Sequence, residues 1–305
     1  MFARVLLLLA LPVCACAADV FPLVEKAVNE TLQEFADKKL QSNQLAVTCI
    51  KLNDDALPST ASYRGDAPIY PASVVKLFYL VAAHQWLEDG KIQDSDELRR
   101  AMRDMIVESY NEATHYVLDL VTGTTGGPEL SPDAMKDWEY KRNAVNRWFA
   151  SKGYKGLNVN QKPWCEGPYG RERIFVGKNF ENRNALTTEG TASLLAKIVQ
   201  GAVVSIKHCN EMMELLKRDP FKPATESDDQ AHGFSGRALP AGAKLWSKAG
   251  WTSQVRHDAA YIELANGAKF VLVIFTTDHS NEREIIPALC RVILGGMSAD
   301  KEAVR

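Results

Sequence analysis

The 305-residue sequence has no excess of either charge: 36 Lys and Arg stand against 38 Asp and Glu, a net charge of −2. No basic patch stands out, which removes the electrostatic footprint of a nucleic-acid binder. No apolar run beyond the first residues is long enough to span a bilayer, so no transmembrane segment is expected. There is no internal repeat and no low-complexity linker. Cysteine is scarce. Leaving aside Cys14 and Cys16 near the start, only Cys49, Cys165, Cys209 and Cys290 remain. They lie far apart, with no C-x-x-C and no histidine at metal spacing, which excludes a zinc site built on them. Their pairing is not deducible from spacing; disulfides and buried free thiols both remain open. What is present is an ordinary globular composition, 46% hydrophobic and 24% charged, enough for one large domain or two modest ones.

The first residues are of another kind. Arg4 precedes the apolar run Val5 to Leu11, and Ala15-Cys16-Ala17 follows. A short positive start, a short apolar core and an Ala-x-Ala site predict a secretory signal peptide over 1–17, cleaved after Ala17. Residues 18–305 are then one exported domain, periplasmic or secreted. Lipid attachment at Cys16 is the alternative, but Val13-Cys14-Ala15 fits a lipobox poorly.

Periodicity places helices over Phe21 to Lys39, Ser73 to Trp86, Leu98 to Val107, Glu112 to Val121, Ser131 to about Lys152, Thr187 to Val203, Lys207 to Leu216 and Asn281 to Leu294. Strands are expected at "QLAVTCIKL", at "AKLWSKAGW", and at "DAAYIEL" and "KFVLVIFT", the last two joined by the hairpin signal Ala265-Asn266-Gly267-Ala268. "SYRGD" is a short strand or a turn. Gly153 to Asn184 shows no period, and a loop that long is functional or wrongly assigned. Strands at both ends with helices between predict an α+β fold: a five-stranded antiparallel sheet packed against helices, with a helical region inserted.

Three short motifs carry chemistry. Ser73-Val74-Val75-Lys76, inside the apolar "YPASVVKLFYL", is an S-x-x-K at a helix N-terminus. Residues three apart share a helix face, so the amine can reach the hydroxyl. A desolvated amine, neutral part of the time, can take the serine proton. Ser109-Tyr110-Asn111 is an S-x-N between helical segments. The serine can relay a proton, and the asparagine can hold an ammonium or a substrate amide. Lys248-Ala249-Gly250, in "LWSKAGW", places a cation and a glycine on a strand. The lysine can attract a carboxylate, and the glycine lets a substrate backbone approach. Taken singly, each motif is common by chance and has a bland structural reading: a cap serine with a snorkelling lysine, a capped helix break, a strand end.

Order and context together resemble the serine β-lactamases and penicillin-binding proteins, most closely class A β-lactamases. "MRDMIVESYNEATHYVLDLVTG" is similar to that family's helix-S-D-N-helix segment. "NALTTEGTASLLAKIV" is similar to its threonine-started helix after the Ω loop, and "KAGWTSQVRHDAAYIEL" to its K-T-G strand and return strand. The resemblance implies Ser73 as acylated nucleophile and Lys76 as proton acceptor. It implies Ser109 as proton relay to the leaving nitrogen and Asn111 as the residue orienting Lys76 and substrate. Lys248 and Arg256 would bind a substrate carboxylate, Gly250 would admit the substrate, and the amides of Ser73 and Trp251 would form an oxyanion hole. Three departures stand out. Tyr110 replaces the family's Asp and Ala249 its Thr, so that Ser247, Thr252 or Ser253 would have to supply a hydroxyl. The interval from Ser73 to Ser109 is short. The Ω-loop glutamate followed by x-x-Leu-Asn is missing; of Glu166, Glu172 and Glu181, Glu166 in "KPWCEGPYG" is the best candidate for the deacylation base. His257-Asp258 is read as a structural pair.

The expectation is a monomeric serine hydrolase opening a β-lactam amide, with no metal or organic cofactor. A D-Ala-D-Ala peptidase or esterase/amidase on the same fold is the second reading. A non-catalytic cell-wall-binding module is the third.

Overall fold

The structure, a computed structural model, describes residues 20–52, 57–164, 167–223 and 229–299. The proposed signal segment 1–17 lies outside them. Six antiparallel strands form one sheet: β1 Leu45–Leu52, β2 Ser59–Tyr63, β3 Lys217–Arg218, β4 Lys244–Trp251, β5 Val255–Glu263 and β6 Lys269–Thr277, in the order β2-β1-β6-β5-β4-β3. The sequence reading of five strands is therefore one short. The sixth, β3, is a two-residue pairing of Lys217 with Trp246 and Arg218 with Leu245. Two residues are too few for any alternation to show.

Each face of the sheet carries its own core. On one side lie α1 (Val20–Glu34) and α10 (Ile285–Ala299). Val20, Val24, Ala27 and Val28 repeat at helical spacing and pack with Ile286, Leu289, Ile293 and Met297. Helix α1 is shorter than predicted: Lys39, at φ 61, closes the turn that follows it. On the other side lie α2 (Val75–Glu88), α3 (Asp96–Arg103), α4 (Asn111–Thr122), α5 (Pro132–Arg142), α6 (Ala144–Ser151), α7 (Gly170–Val176), α8 (Thr188–Val199) and α9 (Ile206–Leu216).

Helix α2 is the centre of that half. Val75, Leu77, Phe78, Tyr79, Leu80 and Val81 are all buried, so it has no solvent face before Gln85. The single helix expected from Ser131 to Lys152 is two, broken at Asn143. The Asn143 side chain donates to the Glu139 carbonyl (2.9 Å) and accepts from Asn160 (2.9 Å), tying the break to the following loop. Gly153 to Asn184 is not structureless, since it contains α7. Amide side chains fasten it: Asn184 and Gln161 exchange hydrogen bonds of 2.8–2.9 Å.

Candidate active site

Ser73 sits in a 3₁₀ turn, Ala72–Val74, that runs directly into α2. Ala72, immediately before it, is held at φ 46, a left-handed conformation that an alanine adopts only under constraint. Lys76 falls in the first turn of α2, among apolar neighbours, and is fully buried. It does not snorkel. Its Nζ donates to the Ser109 carbonyl (2.5 Å), to Asn111 Oδ1 (2.8 Å) and to Ser109 Oγ (3.2 Å). The S-x-x-K and S-x-N segments, 33 and 35 residues apart in sequence, therefore meet at one amine.

Ser109 reaches that amine through unusual backbone. A π-helical segment, Asp104–Glu108, follows α3 and ends on Ser109 at φ 59, ψ 31. Such conformations cost about 1–3 kcal/mol for a non-glycine residue and concentrate at functional sites. Here the bend turns Ser109 Oγ between two amines, because Lys248 Nζ also donates to it, at 3.1 Å. A hydroxyl has two lone pairs and one proton. Accepting from both lysines leaves the Ser109 proton for a third group. Asn111 in turn donates to the Trp164 carbonyl (3.3 Å), which brings the 153–184 segment against the site. Tyr110, in the place of an aspartate, is 57% exposed.

Lys248 is fully buried on β4. Besides Ser109 it donates to Gln230 Oε1 (2.6 Å) and the Ala249 carbonyl (2.8 Å). Burial, reinforced by the charges of Lys76 and Arg218, holds its amine well below the usual lysine value, while Asp258 pulls it back up. Gln230 is a site residue that the sequence did not announce. Its Nε2 donates to the carbonyls of Ile106 (3.0 Å) and Val107 (2.9 Å) in the π segment, and its Oε1 also accepts from the Ala249 amide (3.2 Å). One amide thus joins the Lys248 strand to the segment that bends Ser109. It sits in the polar run "DDQAHG", where no pattern marks it.

One face of β4 packs against the Ser73 turn at Gly250. A Cβ on Gly250 would lie 2.7 Å from the Pro71 carbonyl oxygen and 2.8 Å from the Ser73 and Val74 amide nitrogens, so only glycine admits this approach. Thr252 donates its amide to Val255 (2.9 Å), a hydrogen-bonded pair closing the β4–β5 hairpin. Pairs alternate in an antiparallel ladder, so the next pair, Trp251 with Arg256, turns its amides away from the partner strand. Ala249, two residues back, confirms the phase by donating outward to Gln230. The Trp251 amide consequently points outward from β4, away from β5. The Trp251 ring is 39% exposed and packs 5.6 Å from Phe234.

Other predicted residues fall elsewhere. Arg256 is only 2% exposed; it stacks 4.1 Å over Phe234 and donates to the Gly233 carbonyl (2.6 Å). Its described contacts run to the loop before β4, not to Lys248. Ala249 belongs to the apolar cluster with Phe234 and Leu245, on the α1–α10 face, which gives a hydroxyl there no access to the Ser73 side. Ser247 is fully buried, and the Thr252 hydroxyl is used within its turn by the amides of Gln254 and Val255. His257 and Asp258 are neighbours in sequence but point to opposite faces of β5. His257 bonds the Tyr70 carbonyl (2.9 Å) and accepts from the Thr276 amide (3.1 Å). Asp258 accepts from the Ser235 amide (3.1 Å).

Glu166 and Cys165 lie outside the described residues. The two other carboxylates of that segment are committed. Glu172 is buried in ion pairs with Arg142 (2.8 Å) and Lys162 (3.5 Å), and Asp119 completes the cluster at 2.6 Å from Lys162 and 3.2 Å from Arg142. Glu181 bonds Asn179 at the surface. Cys49, Cys209 and Cys290 are buried free thiols, and burial pushes Cys49 up to about 12, which makes it inert as a nucleophile at neutral pH.

The profile of the β-lactamase enzyme family matches residues 97–294, more than half of the chain. A search of curated proteins finds no match. Among solved structures, a β-lactamase from Sphaerobacter thermophilus is 19% identical, the match covering 91% of this chain and 98% of that one at a TM-score of 0.63. A β-lactamase from Chitinophaga pinensis is 17% identical, with 90% and 98% covered and a TM-score of 0.65. A mutant of PBP-A, in an acyl-enzyme complex with penicillin G, is 17% identical, with 90% and 97% covered and a TM-score of 0.63. At these identities the likeness is one of fold.

Proposed function

The chain belongs to the β-lactamase enzyme family and is a serine hydrolase of that type, and from this premise we propose that it opens a β-lactam amide through an acyl-enzyme on Ser73. The observation that carries the reading is one hydroxyl, Ser109 Oγ, held between the buried amines of Lys76 and Lys248. Lys76, desolvated and aimed by Asn111, takes the Ser73 proton as Oγ attacks the amide carbon. The Ser73 and Trp251 amides receive the developing oxyanion; one such donor is worth about 10²–10³ in rate. Ser109 passes a proton to the leaving nitrogen, and Lys248 draws the substrate carboxylate to the mouth of the site. Arg256 assists only if it leaves the Gly233 carbonyl. Glu166 is the proposed base for deacylation, following directly on the segment that Asn111 anchors through Trp164. The chain is proposed to work as a monomer, exported after loss of residues 1–17.

A second reading keeps the acyl-enzyme and changes its fate. Glu172 is held by Arg142 and Lys162, so Glu166 alone of the three candidate carboxylates is left to release the acyl group. If it does not, the chain behaves as a penicillin-binding D-Ala-D-Ala peptidase. The PBP-A neighbour forms an acyl-enzyme with penicillin G. One experiment separates these readings. The protein is pulsed with penicillin and its intact mass is followed over time, beside turnover of a chromogenic cephalosporin. A transient adduct on Ser73 with rapid turnover supports the β-lactamase. A persistent adduct supports the peptidase. No adduct and no turnover overturn both.

A further inference from the structure

Two helix turns beyond Lys76, about 12 Å along the axis of α2, lies a second polar cluster that the Ser73 site does not use. His84 is buried on α2, and His208 is buried on α9 with Glu211 one turn after it. Three ligand atoms converge there. His84 Nδ1 and His208 Nδ1 are 2.9 Å apart, and Glu211 Oε2 lies 3.2 Å from the second and 3.5 Å from the first. Metal–ligand bonds of about 2.0–2.2 Å in a tetrahedral site place neighbouring ligand atoms about 3.3 Å apart. We infer that His84, His208 and Glu211 hold a divalent first-row transition ion, zinc being the best fit, that clamps α2 to α9.

Three independent features support the assignment. First, a lone proton between the two Nδ1 atoms accounts for the 2.9 Å contact but not for a carboxylate oxygen within 3.5 Å of both. A cation draws all three to one point. Second, His208 has the outer partner of a metal-bound imidazole. Its Nε2 meets Glu88 Oε2 at 3.1 Å, and that oxygen also accepts from Ser205, whose hydroxyl caps α9 (3.1 Å). A carboxylate on Nε2 fixes the proton there and leaves the Nδ1 lone pair for a metal. Third, the local charge is anionic: Glu88, Glu211 and Asp94 outnumber Arg99 and Lys207. Arg99 donates to the same Glu211 oxygen at 2.7 Å, which a carboxylate oxygen accommodates beside a metal because it has two lone pairs. The Glu211 side chain is 30% exposed, giving the ion a way in. Nitrogen and oxygen donors of this kind suit zinc, nickel or copper rather than magnesium or calcium.

The test uses the whole protein, stripped with a chelator, dialysed and titrated with zinc by calorimetry, with bound metal counted by elemental analysis. One zinc per chain is expected, with a Kd in the micromolar range or below. Zinc at a hundredfold excess over Kd should raise Tm by roughly 5 °C or more. Cobalt in the same site should show the intense visible bands of tetrahedral coordination. Glu211→Gln and His208→Gln should each weaken zinc binding by at least about a hundredfold and remove the Tm rise; Glu88→Gln should weaken it about 10–100-fold. Glu88 and Glu211 are both partly exposed, so their variants decide the matter even if the buried histidine cannot be replaced. Absence of stoichiometric uptake, or uptake unchanged in Glu211→Gln, overturns the site and leaves a hydrogen-bonded histidine pair.

Discussion

Lys248 and Arg142 are both fully buried cations on the helical side of the sheet, and their partners differ in kind. Arg142 meets carboxylates, Glu172 at 2.8 Å and Asp119 at 3.2 Å, with Lys162 sharing both. Lys248 meets a hydroxyl, an amide oxygen and a carbonyl. Neutral dipoles return only part of the hydration that burial removes, and the Lys248 amine accordingly sits well below the ordinary lysine value. The Arg142 cluster has its countercharge built in and fastens α7 to α5 and α4. Lys248 is left short of countercharge, a condition that a substrate carboxylate would relieve. In the proposed mechanism the difference separates a cation held for structure from one held for binding and chemistry.

The largest effects should break this contrast outright. Lys76→Ala should slow acylation by about 10³–10⁴-fold, the upper range for loss of a general base, while Tm stays level or rises because a buried amine is gone. Burst kinetics with a chromogenic cephalosporin, beside a thermal melt, reads both. Glu172→Gln should do the reverse. It leaves Arg142 and Lys162 with half their countercharge, at a cost of about 3–5 kcal/mol in urea unfolding, with the acylation rate of the folded protein little changed. A stability loss in Lys76→Ala as large as that in Glu172→Gln would erase the distinction.

His257 extends the comparison to a third buried base. Its Nε2–H donates to Tyr70 and its Nδ1 accepts from Thr276, so the neutral ring is fully partnered. A second proton would set N–H against N–H. Burial lowers its value from 6.5 to about 4. The unfolded chain therefore takes up a proton first as pH falls. Stability is complete above pH 6.5 and drops progressively toward pH 4, by about 3 kcal/mol from this group. Urea midpoints measured from pH 7.5 to 4 should show that decline, and His257→Gln should make it shallower by that amount, the buried His84 leaving a decline of its own.

Placement that depends on short spacing was legible in the sequence. Ser73 and Lys76 lie three apart where the 3₁₀ turn enters α2, and Ser109 and Asn111 bracket a single residue at a helix break. Lys248 and Gly250 were legible through strand alternation and the hairpin that follows. What was not legible depends on where distant segments meet. Gln230 is one amide in a polar loop, and its four hydrogen bonds arise only when β4 closes on the π segment. Arg256 lies on a strand in a suitable position, but its neighbour Phe234 comes from a loop whose path no periodicity encodes. His84 and His208 are 124 residues apart. Strand β3 is a two-residue pairing created by the exit of α9 alongside β4.

The finest test moves one residue from one class to the other. Asn111 Oδ1 accepts from Lys76 at 2.8 Å and its Nδ2 donates to Trp164. Asn111→Asp keeps the shape and places a carboxylate against the amine, as Glu172 stands against Arg142. An opposite charge at this distance favours the ammonium form and raises a lysine by about 1–3 pH units. In the proposed mechanism Lys76 takes a proton only when neutral, so the rising limb of acylation with pH should move to higher pH in Asn111→Asp, by about one unit or more. At neutral pH that is about a tenfold loss of acylation rate, recovered on the alkaline side. The amine would be better paired and the catalyst poorer. A uniform loss at every pH would instead place the effect in the broken Trp164 contact, and Asn111 would then act by holding the 153–184 segment rather than by tuning Lys76.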